Sequence, residues 1–137
     1  MRNTPRIAVA VLAFACGTAE SAALSKQDYQ DAKKRIAAEY QVERQKCGER
    51  HANALDKCVA RAHGVRDVAR AELEAQYKPS PRANYEAAMA RAKAANAVAK
   101  EECDDKRGDA KKACLNEAKV SFERAKTEAK AATKAPS

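Results

Sequence analysis

The residues with the most chemistry to offer are four cysteines in two matched pairs, Cys47 with Cys58 and Cys103 with Cys114. Each pair is a Cys-x10-Cys motif. Paired cysteines serve three chemistries, and spacing separates them. Zinc sites use Cys-x2-4-Cys clusters with paired histidines. Here ten residues intervene, and His51 and His63 both lie near the first pair with no counterparts near the second. No metal site is expected. Thiol oxidoreductases place Cys-x-x-Cys at a helix start, and that motif is absent. An even number of cysteines in an exported chain points instead to structural disulfides.

Other reactive groups form no constellation. Glu101-Glu102 and Asp104-Asp105 precede a predicted turn, where solvated helix ends account for them. No nucleophile–base–acid set is visible, and an alanine-lined core would leave no pocket to exclude water. Tyr29, Tyr40, Tyr77 and Tyr85 fall at predicted helix ends or on an inner stripe, where packing explains them better than a ligand box. The expectation is a protein that is not an enzyme and carries no cofactor.

The N-terminus explains the oxidising context. Arg2 and Arg6 precede an uncharged stretch from Ile7 to Cys16. That stretch is the length of a signal-peptide core and too short to span a bilayer. Residues 1–23 are read as a signal peptide, with cleavage after Ala23 or, with Glu20 at −3, after Ala22. Cys16 would suit a lipoprotein box, but the preceding Ala13-Phe14-Ala15 fits one poorly, so it is expected to leave with the signal. Loss of two arginines and one glutamate lowers the +8 of the whole chain to +7. The lysines and arginines are interleaved with acids, as on solvated helices. A basic balance favours anionic partners, whether protein or envelope component. The Ala/Lys tail from Ala125 to Lys134 looks like a linker-histone tail, yet export and the interleaved acids argue against nucleic acid.

The elements that position the cysteines follow from a duplication. Sliding the chain by 56 residues pairs Tyr29 with Tyr85, Arg35 with Arg91, Val42 with Val98, Cys47 with Cys103 and Cys58 with Cys114. Residues 24–78 and 79–133 are therefore two copies of one unit, followed by a flexible tail at 134–137. Lys78-Pro79-Ser80-Pro81 is the seam: Pro79 disfavours helix before it, Ser80 can cap, and Pro81 suits a first helical position. Ser25 with Asp28 resembles a capping box. Hydrophobic residues make up 45% of the chain, but most are alanine, with no Trp and only two Phe, so the core must be thin.

The fold class is all-α, as two tandem antiparallel helical hairpins. Along one helix, eleven residues climb about 16.5 Å, whereas a disulfide needs Cα atoms within about 7 Å. A bridge inside a unit therefore requires the chain to reverse between its cysteines. Gly48 and Asn53 in the first unit, and Gly108 and Asp109 in the second, permit this as helix stops and N-caps. With Cys47 opposite Cys58, facing residues have numbers totalling about 105. This sets Tyr40 against Val65, Ile36 against Ala69 and Ala32 against Leu73. In the second unit Ala99 faces Ala118, Ala95 lies near Phe122 and Ala92 faces Ala125, a seam of alanine. A bridge closing such a hairpin adds about 3 kcal/mol in the chain-entropy model. The rival arrangement is one long helix per unit, since eleven is also a hendecad step. Bridges would then run between units or chains. Gly64, inside the second predicted helix, is unfavourable by up to about 1 kcal/mol and has no evident reason.

Three stretches carry a family resemblance: Ala23-Leu24-Ser25-Lys26 leading to Tyr29, the seam Tyr77-Lys78-Pro79-Ser80-Pro81, and Glu102 through Gly108-Asp109-Ala110-Lys111 to Cys114. The chain resembles small Ala/Lys-rich exported proteins of proteobacteria, sometimes labelled TolA-like by composition. The resemblance implies a periplasmic location and no catalytic activity. A looser likeness, in size, charge and helicity, is to small basic periplasmic chaperones of the Spy type, whose Leu-Thr-x-x-Gln motifs are missing here. The expected function is a non-enzymatic periplasmic structural or interaction protein whose basic helices contact acidic envelope components. A holdase-type stress chaperone is the alternative.

Overall fold

A computed structural model describes residues 24–134. The signal segment 1–23, with its cleavage positions and Cys16, and residues 135–137 of the tail lie outside the described residues. The described residues form four α-helices: α1 Lys26–Cys47, α2 Ala52–Tyr77, α3 Pro81–Cys103 and α4 Gly108–Ala132. Moving the bounds of α1 and α2 along by 56 reproduces those of α3 and α4 to within one residue.

Each cysteine pair closes a hairpin. Cys47–Cys58 and Cys103–Cys114 are bridged, both with Cα atoms 5.6 Å apart. The chain reverses between them, at residues 48–51 and 104–107, so the long-helix arrangement does not occur. Two helix starts are capped as the sequence leads one to expect. Ser25 Oγ accepts from the Asp28 N–H at 3.0 Å, and Ser80 Oγ accepts from the Ala83 N–H at 3.0 Å. Pro81 takes the first position of α3.

The reversal itself works differently. Gly48 is right-handed (φ −61°) and does not stop α1 by a left-handed turn. Asn53 and Asp109 are not the N-caps: His51 and Arg107 hold those positions, without side-chain capping bonds. Instead each turn re-enters helix through one left-handed residue, Ala52 (φ 48°) in the first unit and Gly108 (φ 55°) in the second. These positions are also 56 apart.

Helix packing is strictly sequential. α1 packs on α2, α2 on α3 and α3 on α4, with no other pairing. The broadest of the three interfaces joins the two repeats, α2 against α3. At 100° per residue, α2 meets α1 through Cys58, Ala62, Ala69 and Leu73, and α3 through a nearly opposite stripe of Asn53, Ala60, Gly64 and Ala71. The four helices therefore lie side by side as a single layer rather than closing into a bundle. Both disulfides sit at the same end of that layer, because Asn53 at the start of α2 bonds the C-terminal end of α3.

At Gly64 α2 and α3 approach closely. A Cβ there would lie 2.8 Å from Ala94 Cβ. The glycine that is costly for helix propensity leaves the room that Ala94 of α3 occupies. Of the expected α1–α2 contacts, Val65 departs: it is 64% exposed. Tyr40 packs instead on His63, ring centroids 5.2 Å apart, and under the Arg66 guanidinium at 4.5 Å from the ring centre. The reason is that α2 serves two neighbours, and Val65 lies between the stripes that meet them.

Candidate binding surface

All four cysteines of the described residues are committed to bridges, with Cys47 and Cys103 fully buried. No thiolate is left among them to act as a nucleophile or metal ligand. His51 is exposed beside the first turn, while His63 is half-buried against Tyr40 and is thus not a free surface histidine. Among the described residues no cluster of three His, Cys, Asp or Glu is arranged to hold a metal ion.

The acidic run at the end of α3 does more than solvate a helix end. Glu102 pairs with Arg61 at 3.1 Å, and Asp104 pairs with Lys111 at 2.6 Å. Asp105 accepts from Lys57 Nζ and, at 2.5 Å, from Asn53 Nδ2. Asn53 also donates to the Glu101 carbonyl at 2.9 Å. The Asp104–Lys111 pair reaches α4, and the other contacts tie α2 to the C-terminal end of α3 and the turn after it, beside both disulfides. The Lys57 bond first, and the Asn53 bond second, hold the Asp105 carboxyl below the usual aspartate range. Toward the other end Glu72 of α2 accepts from Arg91 of α3 at 2.7 Å.

Tyr29 and Tyr77 close the open end of the first hairpin. Their rings stack with centroids 4.2 Å apart and planes 15° from parallel. Tyr29 Oη donates to Glu74, which pushes the phenol above its ordinary pKa. The second unit has Tyr85 and Thr133 at the equivalent places, so it lacks this clasp.

The layer has two faces, and they differ. On one, three shallow grooves run side by side. The α1–α2 groove holds about 440 Å3 between Ile36, Tyr40, Val65 and Ala69. The α2–α3 groove holds about 720 Å3 between Val65, Val68, Ala95 and Val98. The α3–α4 groove holds about 320 Å3 between Ala99, Ala118 and Phe122. Val65 and Ala69 line the first two, and Ala95 and Ala99 the last two, so the grooves form one continuous face with an apolar floor and charged rims that include Glu39, Glu43 and Glu117. It is framed by the Arg61–Glu102 and Arg91–Glu72 pairs. The opposite groove of α2–α3 is rimmed by His63, Asp67, Glu86 and Lys93. None of these open grooves encloses a reaction volume.

Comparison with known proteins finds no family model, curated protein or solved structure that matches the chain. The valine face was not evident from the sequence. Its only signal there is a set of β-branched residues off both packing stripes, Val65 and Val68 on α2 and Val98 on α3.

Proposed function

We propose that this is a non-enzymatic periplasmic interaction protein that engages acidic components of the cell envelope through its solvated basic surfaces. The observation that carries the proposal is the placement of charge. Among the described residues no charged side chain is buried, so the whole cationic excess is available to solvent. The leader and the two bridges fit an oxidising compartment outside the cytoplasm. No described helix is long and apolar enough to cross a membrane. Such attraction is electrostatic, reaches about 8–10 Å at physiological ionic strength and weakens with salt.

Envelope fractionation with crosslinking tests the proposal. The expected result is association that salt releases, with an acidic component captured. Association that is absent, or indifferent to salt, overturns it. The exposed valine face favours a second reading, a holdase chaperone. That reading expects suppression of client aggregation at near-stoichiometric ratios, and an inert result across several clients removes it.

A further inference from the structure

We infer that the valine face is the contact surface for a second copy of this chain, which stacks layer on layer about a twofold axis parallel to the helices. A single layer of helices can bury only the edges where neighbours meet, and stable helical architectures complete such a layer with another. Here the sequential packing leaves both broad faces open; the groove of one is floored by alanine and glycine, and the other carries the exposed branched side chains. Val65 remains 64% exposed at the centre of that face, with Val68, Ala95 and Val98 beside it in the same groove.

The frame of charge identifies the occupant. The face carries Arg61 and Glu102 on either side of its groove at the disulfide end, and Glu72 and Arg91 on either side at the other. The proposed axis lays α2 of one protomer over α3 of its partner at the same height. Arg61 then meets Glu102 of the partner subunit, and Glu72 meets Arg91 of the partner subunit. Each internal ion pair becomes half of an alternating ring of four charges. At these four positions the pattern is complementary to itself, the property an isologous interface requires. A partner of uniformly acidic surface would leave Glu72 and Glu102 facing like charge. Each copy is strongly basic, so long-range repulsion opposes the pairing, and salt should tighten it.

The test is the mass of the full oxidised chain by sedimentation over a wide concentration range, at low and moderate salt. The expected result is a dimer that strengthens with moderate salt. Val65→Glu with Val98→Glu should weaken it on the order of 100-fold or more, because four valines leave the interface and four carboxylates would be buried without partners. Val65 is exposed and Val98 half-exposed on the open face, so the double variant should keep its helicity. Arg61→Glu serves as a second variant that leaves the apolar residues intact. It should also weaken the dimer, and adding Glu102→Arg should restore it. A chain that stays monomeric throughout overturns the inference, as does a dimer unaffected by the valine or the arginine variants.

Discussion

Replacing Ala52 by glycine should stabilise the protein, and replacing Gly108 by alanine should destabilise it by a similar amount. Both residues open a helix after a disulfide-closed turn, and both have positive φ, 48° and 55°. Holding an L-residue there costs about 1–2 kcal/mol because Cβ crowds the following carbonyl. Glycine removes that cost but is freer in the unfolded chain, by about 0.4–1 kcal/mol. The Cys47–Cys58 bridge encloses position 52 and confines the unfolded chain around it, which puts that offset at its lower end. The net gain for Ala52→Gly is then about 0.5–1.5 kcal/mol. A Cβ added at Gly108 meets no atom within 4 Å, so Gly108→Ala should lose a similar amount for purely conformational reasons. Thermal unfolding of the oxidised chain, followed by far-UV circular dichroism, reads both. Each kcal/mol corresponds to about 4–8 °C for a small domain. The sign is decisive. At an ordinary right-handed helical position, Ala→Gly loses about 1 kcal/mol. A fall in Tm for Ala52→Gly, or a rise for Gly108→Ala, refutes the reasoning.

Gly64→Ala should cost about 1–2 kcal/mol in denaturant unfolding, overpacking against Ala94 outweighing the better helix propensity; Ala94→Gly should recover part of the loss, and simple additivity of the two would refute the close approach. Removing the second bridge with Cys103→Ser and Cys114→Ser should cost about 3 kcal/mol. In hydrogen exchange, α4 should lose protection well before α2 and α3, since its seam is mostly alanine; equal loss in all helices refutes this. Asp105 titrates low because its charged form is bonded to Lys57 and Asn53. Its stabilising contribution is therefore present above the ordinary aspartate pKa and is lost as pH falls through the depressed folded value. An NMR titration should show that low midpoint, and Lys57→Met should raise it; an unmoved midpoint refutes the assignment.

The hairpins were legible because a covalent constraint and a repeat can both be read in one dimension. The spacing of Cys47 and Cys58 limits where the chain can turn, and the 56-residue offset carries that limit to Cys103 and Cys114. Ser25, Ser80 and Pro81 are local signals that act within three or four residues. What escaped concerns α3 as a neighbour of α2. A single stripe along α2 supposes one partner and so puts Val65 inside, whereas α2 has two partners and Val65 lies on the open face. Gly64 looked like a defect because its justification, Ala94, is thirty residues away in sequence. Asn53 reads as an N-cap, but the cap is His51 two residues earlier, and the Asn53 side chain spans to α3. The apolar face depends on the helices lying flat, and no periodicity within one helix specifies that.

The close approach at Gly64 also determines how long this architecture can grow. A third repeat would dock on the outer side of α4 as α3 docks on α2, and the residue 56 positions beyond Gly64 is Val120. Val120 is 60% exposed on that outer side, and its branched side chain would hold an incoming helix away where glycine admits one. On the other flank Ala90, which lines the α2–α3 groove, corresponds to Lys34 of α1. Each outer helix thus carries a bulky or charged residue where the inner helices carry the small residues that make contact. Both flanks of the described array therefore resist a further helix, and an engineer who wished to add one would have to begin at Val120.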